Sequence, residues 1–221
     1  MPSFSHFLEV LVDTKDVFLK AMLLTLELTL VSILIGIVIG LFFALMKISK
    51  FKVLEIISDI YVFLVRGTPL IVQIFILYFG LSGIFLLPDF WAASLALALH
   101  NGAYISEILR GTIQGVDKGQ MEAGRSLGMT KVLTLRRIIL PQAFRRALPP
   151  LGNQFIIGLK DSSLAAFISM NELFNVATTL GSNNFDEMTY LLIVAIYYLV
   201  LVALLTFLVN RFEKKLAISD R

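Results

Sequence analysis

The sequence predicts an all-α integral membrane protein with five transmembrane helices, and three observations carry that expectation. Of 221 residues, 57% are hydrophobic and only 16% are charged, which leaves too little polar surface to cover a water-soluble globule. The mean hydropathy of +0.85 agrees. The apolar residues fall into runs long enough to cross a bilayer, separated by short polar intervals. Basic residues collect in alternate intervals, as in membrane proteins of fixed orientation. Cysteine is absent, so a disulfide framework and a thiolate metal site are both excluded.

Residues 1–16 are mixed, with Glu9, Asp13 and Asp16 against Lys15. They lack the basic start of a secretory signal, and the apolar run that follows is too long for a cleaved segment, so the first span is expected to be retained. It covers about Val17 to Met46, of which Leu28–Met46 alone rises roughly 28 Å. Ser32, Gly36, Gly40 and Ala44 recur every fourth residue and form a small-residue stripe suited to close helix packing rather than to a pore wall. Lys47, Lys50 and Lys52 make a basic turn. The second span, about Val53 to Tyr78, is interrupted at Arg66-Gly67-Thr68-Pro69, where proline removes a helix donor. Gly80 to Asp89 carries no Lys or Arg and forms the next loop.

The third span, about Asp89 to Arg110, begins apolar and turns polar at His100-Asn101. By helical spacing, Asn101, Tyr104 and Ile108, with His100 and Glu107, share adjoining faces. The fourth span, about Ala147 to Met170, predicts a broken helix, with Pro149-Pro150 near one end and Lys160-Asp161-Ser162-Ser163 in its middle. Asn171 to Glu187 suits a short outer helix. The fifth span covers about Met188 to Val209, and Asn210–Arg221 is a basic tail. The whole chain, 1–221, reads as one membrane domain. Lys47, Lys50, Lys52, the basic residues of Arg110–Arg146, and Arg211, Lys214, Lys215 and Arg221 share one side, against Lys15 and Lys20 on the other, with Lys160 the one further candidate there. The positive-inside rule then puts the C-terminus in the cytoplasm and the N-terminus outside.

The long polar interval Val116 to Pro141 lies on the cytoplasmic side in this scheme. Gln120, Met121, Glu122, Ala123, Arg125, Ser126 and Leu127 tolerate a helix, and Gly128 offers a C-terminal stop. Glu122 is expected in the first turn, where a carboxylate suits the positive helix end. Ala123 and Gly124 are expected to leave a bare patch that another protein's backbone could approach. A second helical run, Lys131 to Leu140, leads from that patch to Pro141 and the next span. A push on the surface helix would therefore pass into a membrane helix.

Catalytic signatures are missing. No G-x-x-x-x-G-K-[ST] loop, G-x-S-x-G elbow or H-E-x-x-H pair occurs, and His6 and His100 lack a metal-ligand spacing. The intramembrane polar groups sort by depth instead. Arg66 lies roughly 20 Å from the cytoplasmic end of its span, with Asn101 and Asp161 near the middle of theirs. A charge there costs at least ~2.5–3.5 kcal/mol, so it calls for a partner or a pathway. Broken helices around a midplane site are a recurring transporter design. An amino acid zwitterion matches this set: Arg66 or helix-break amides for the carboxylate, Asp161 for the ammonium or a cationic side chain, Asn101 for hydrogen bonds, with Ser162 and Gln154 nearby. The alternative is that Arg66 and Asp161 pair with each other or with backbone carbonyls. Asp161, Glu107 and Glu172 favour a cationic solute.

Glu122-Ala123-Gly124, then Gly128, then nine residues, then Ile138-Ile139-Leu140-Pro141 resembles the coupling motif of ABC importer permeases. Gly124 stands where that family usually carries alanine. T-L-E-L-T-L from Thr25, R-G-T-P-L at Arg66–Leu70, G-A-Y-I-S-E-I-L-R-G at Gly102–Gly111 and L-K-D-S-S-L at Leu159–Leu164 are similar to the family's polar amino acid branch. The resemblance implies a type I-like permease fold and an inner-membrane subunit that binds no cofactor of its own. It also implies that the loop at about 112–141, through Gln120, Glu122, Ala123, Gly124, Arg125, Leu127 and Gly128, docks on a separate ATPase holding ATP and Mg. An external solute-binding protein, extracellular or periplasmic, and a second permease subunit, identical or sister, complete the implied complex. No nucleic-acid partner is expected. A secondary carrier would leave the coupling loop unexplained, and a membrane adaptor would leave the midplane polar residues unexplained.

Overall fold

The structure, a computed structural model, describes residues 3–80, 83 and 86–218. Leu81, Ser82, Ile84 and Phe85 of the Gly80–Asp89 loop, and Arg221 of the basic tail, lie outside the described residues. Every regular element among those described is helical.

Helix α1 (Phe4–Lys47) has 44 residues and begins well before the expected Val17. Phe7, Leu11, Thr14, Phe18, Ala21 and Thr25 keep one half-buried to buried stripe at helical spacing, so the acidic residues between them stay on the outer face and do not stop the helix. Ser3 caps the start by accepting from His6 N, and His6 Nε2 reaches Asp186 Oδ2 at 2.8 Å. At about 66 Å the helix is roughly twice the hydrocarbon thickness, so about half of its length must extend beyond the hydrocarbon.

Helix α2 (Lys52–Gly67) ends where expected. Thr68 is extended, as a residue before proline must be. Helix α3 (Leu70–Phe75), continued by a wider turn at Ile76–Gly80, departs at 105°. Gln73 Nε2 donates to Val65 O and Thr68 O at 2.7 and 3.1 Å, which satisfies carbonyls that the break would strand.

Helix α4 (Asp89–Gln114) is the centre of the bundle. Ala92, Ala93, Ala96 and Leu97 are fully buried, and α1 lies along it through the small-residue stripe. A Cβ on Gly36 would come 3.2 Å from Ala98 O, and one on Gly40 would come 2.6 Å from Ile105 Cγ2. The stripe is a packing face. Gly40→Ala is therefore expected to cost about 1–3 kcal/mol through overpacking against a helix that cannot retreat. Gly67→Ala, which meets nothing within 4 Å, serves as the neutral control. Thermal melting of the detergent-solubilised protein reads the difference.

The polar interval forms α5 (Lys118–Ser126) and α6 (Lys131–Thr134). A wider turn at Leu135–Ile139, just before the donor-less Pro141, leads without interruption into α7 (Leu140–Asp161). Pro149-Pro150 sits inside α7 without ending it. The break comes at the polar run, where the chain tightens into a 3₁₀ segment, Ser162–Ile168, and reverses at Ser169 with φ 62°. Helix α8 (Leu173–Asn184) is the short helix expected within Asn171 to Glu187, and α9 (Glu187–Ile218) closes the bundle.

Length and apolarity alone qualify α1 and α9 as membrane spans, with α2 and α3 a third only if the bent pair counts as one. Five is therefore not the number that this measure returns. Helices α4 and α7 fall short because polar and charged side chains, His100, Asn101 and Glu107 on α4 and Gln142, Arg145, Arg146, Asn153 and Gln154 on α7, lower their apolarity.

Candidate functional site

Helix α5 is capped by Asp117, whose Oδ1 accepts from Gly119 N at 2.6 Å. That carboxylate, not Glu122, occupies the positive end. Glu122 lies one turn further on, because the helix starts at Lys118. Gly128 has φ +81°, its N–H donates to Arg125 O at 3.0 Å, and Met129 N donates to Gly124 O at 3.1 Å. This is the glycine-terminated helix end that the sequence predicts.

Gln120, Glu122, Ala123, Arg125 and Gly128 are exposed, and Leu127 is 82% exposed. Gly124 is not part of this open surface. It is buried, and a Cβ there would stand 2.5 Å from Thr134 Cγ2. The expected bare patch at Ala123-Gly124 is thus open only at Ala123. Gly124 is spent on seating α5 against α6, and the bulk of Thr134 accounts for a glycine where the resembled family usually has alanine.

The intramembrane polar residues form separate groups. Asn101 is fully buried, and its Oδ1 accepts from Gln154 Nε2 at 2.8 Å while its Nδ2 donates to Leu97 O at 2.9 Å. Gly158 on α7 leaves room for that amide: a Cβ there would lie 3.3 Å from Asn101 Nδ2. Asp161 and Ser162 stand at the end of α7, a full turn beyond Gly158, with Ser162 buried and bonded to Leu159 O at 2.7 Å. Asp161 is half-buried.

Arg66 lies apart, exposed at the α2–α3 break, with its guanidinium 4.9 Å from the centre of the Tyr104 ring. His100 leans on the same ring and donates from Nδ1 to Gln73 Oε1 at 3.3 Å. Among the described residues no ion pair joins Arg66 to Asp161. The 105° turn comes after Arg66, so its distance along α2 stands, and the break leaves it at an exposed corner instead of inside a straight span.

Two carboxylates are committed internally. Glu107 binds Arg110 at 2.7 Å. Glu172 is fully buried, accepting from Phe174 N, Asn175 N and Tyr198 Oη at 2.7–2.9 Å. Of the three acids that favoured a cationic solute, Asp161 alone is left to meet one.

Several positioning residues escaped the sequence reading. Thr25 Oγ1 accepts from Leu173 N at 3.1 Å and pins the elbow after the 3₁₀ segment onto α1. Tyr61 donates to Leu99 O at 2.6 Å and stacks on Phe43, fastening α2 to α4. Thr25 could have been found: it lies seven residues before Ser32, two helical turns along the same face as the small-residue stripe.

A bundle of apolar helices, with a seated polar surface helix that leads through α6 into the polar helix α7, is the architecture of a membrane permease subunit. The chain belongs to the family of inner membrane components of binding-protein-dependent transport systems, whose model matches residues 36–218. It is 43% identical over 175 residues to the L-cystine transport system permease protein TcyB of Bacillus subtilis, covering 78% of this chain and 75% of that one. The arginine transport system permease protein ArtQ of the same organism is 37% identical over 204 residues, 91% and 93% of the two chains. Among solved structures, an amino acid ABC transporter crystallised with histidines contains a chain that superposes with a TM-score of 0.90 at 38% identity, covering 97% of this chain and 100% of that one.

Proposed function

We propose that the chain is the membrane permease subunit of an ABC importer for polar amino acids, with a lean towards cationic ones. The observation that carries this reading is the coupling loop within a family match spanning most of the chain. A separate ATPase carrying ATP and Mg docks on the exposed face of α5, through Gln120, Glu122, Ala123, Arg125 and Leu127. An external binding protein delivers the solute, and a second permease subunit completes the pathway. The C-terminus lies in the cytoplasm and the N-terminus outside, following the basic residues.

The fold suggests how force travels. Gly124 seats α5 on Thr134, and from Lys131 to Asp161 the chain is helical without a gap, about 45 Å at helical rise. Closing of the ATPase pair moves α5, and α7 carries that displacement to the end where Asp161 and Ser162 sit. The work comes from the ATPase's differential contacts with the two states. Asp161 meets the ammonium or cationic side chain, and Asn101, Gln154, Ser162 and Arg66 supply hydrogen bonds or charge along the route.

The test is uptake into proteoliposomes containing the chain with its cognate ATPase, comparing labelled arginine, histidine, glutamine and glutamate. Uptake is expected only with ATP and ATPase present. Transport by the chain alone on an ion gradient would replace this reading with a secondary carrier. Asp161→Asn is expected to lower arginine uptake about tenfold, the effect of losing roughly 1.4 kcal/mol of binding, and glutamine uptake much less. Equal losses would remove Asp161 from the cation-binding role.

A further inference from the structure

The transport reading leaves two neighbouring features of α7 unused. At its start, Arg137, Arg145 and Arg146 converge with Gln142 on a pocket of about 530 Å³. All three arginines are exposed, and Arg146 is fixed by donating from Nη1 to Gly115 O at 2.7 Å. Gln142 is likewise held, donating to Ile138 O at 3.1 Å. Three guanidinium groups around one pocket suit a phosphate.

Further along α7, Phe144, Leu148, Leu151 and Phe155 form a wall of an apolar groove of about 460 Å³, closed by Ile37 of α1 and Leu208 of α9. Glu213 lies at its rim, with Arg211 and Lys214 close by in sequence. From Arg145 to Phe155 the helix rises about 15 Å, half of the ~30 Å hydrocarbon thickness. The groove therefore runs about the depth of one leaflet; Arg137, seven residues before Phe144, shares its helical stripe, and Arg145 follows Phe144 directly at that end.

Charge and apolarity together select the occupant. A soluble anion would use the arginines but not the groove, and a neutral lipid would use the groove but not the arginines. We propose that this is a binding site for one anionic phospholipid, its phosphate among Arg137, Arg145 and Arg146 and an acyl chain along Phe144, Leu148, Leu151 and Phe155. Basic pockets beside membrane helices recognise such headgroups. The proposal rests on the permease reading only in needing a bilayer; it is indifferent to the solute carried and to which end faces the cytoplasm.

The assembled transporter carrying Trp91→Phe and Leu148→Trp is placed in phosphatidylcholine nanodiscs containing an equal fraction of brominated phosphatidylglycerol or brominated phosphatidylcholine. The same complex with Leu148 retained gives the background. Quenching is expected to show phosphatidylglycerol associating about fivefold more tightly, the effect of roughly one effective arginine contact. Arg137→Gln with Arg145→Gln should bring the ratio close to one while brominated phosphatidylcholine still quenches. Equal quenching before the arginines are changed would overturn the proposal. So would quenching by neither lipid, the result if protein covers the groove, or loss of the preference in millimolar inorganic phosphate, the result for a free-anion site. The ratio with all arginines present decides the matter even if the double variant fails to insert. A loss of solute uptake without a change in this ratio would count against the transport reading alone.

Discussion

Gly124→Leu is expected to reduce ATP-driven uptake by about ten- to a hundredfold while the permease still inserts and folds. The added side chain must enter space that Thr134 already occupies, with Cγ2 only 2.5 Å from the position of a Cβ. Overpacking of this kind costs about 1–3 kcal/mol, and here the strain is relieved most easily by lifting α5 off α6. Lifting α5 breaks the mechanical link without disturbing the bundle, since α5 buries little else. Gly124→Ala should show a smaller loss of the same kind. Thr134→Ala should then rescue it, because it leaves only the Thr134 Cβ, at 3.2 Å. Ala123→Leu provides the contrast. Ala123 is exposed, so a larger residue there should spoil docking of the ATPase without any rescue by Thr134→Ala. Uptake in proteoliposomes and co-purification of the ATPase measure both effects. Normal coupling in Gly124→Leu would show that α5 is not the lever.

That pair also marks where reading the sequence stops. The loop's helix, its glycine stop and the helical run behind it follow from local rules, and each is in place. What Gly124 touches does not follow, because Thr134 lies ten residues away across a turn, and only the seating of α6 brings it over. The same limit explains Arg66. Counting from Val53 does locate Arg66 along α2, which is unbroken up to Gly67, but the 105° turn after it removes the straight second half of the span, and Arg66 ends at an exposed corner. Glu172 looked available to a cationic solute because its partners, two backbone amides and Tyr198, become visible only once α8 and α9 are packed. Conversely, the early start of α1 was legible. Phe7, Leu11, Phe18 and Ala21 hold a helical period through a stretch whose charges suggested otherwise.

The bond between Asn101 and Gln154 separates a structural role from a transport role, and a double-mutant cycle can read both. Each single leucine substitution leaves the partner's amide buried without its hydrogen bond, at a cost of about 1–3 kcal/mol. Replacing both partners by apolar groups of similar size removes the unsatisfied group. The Asn101→Leu, Gln154→Leu double variant should therefore recover most of the melting temperature lost by either single variant. Uptake should not recover with it. If these amides bond the solute in passage, the double variant melts near the starting value yet transports at about a tenth of the rate or less, the equivalent of 1.4 kcal/mol or more at the barrier. The recovered stability removes misfolding as the explanation for that loss. If uptake returns in step with stability, the pair is a staple between α4 and α7 and nothing more. The route would then have to rely on Asp161, Ser162 and Arg66.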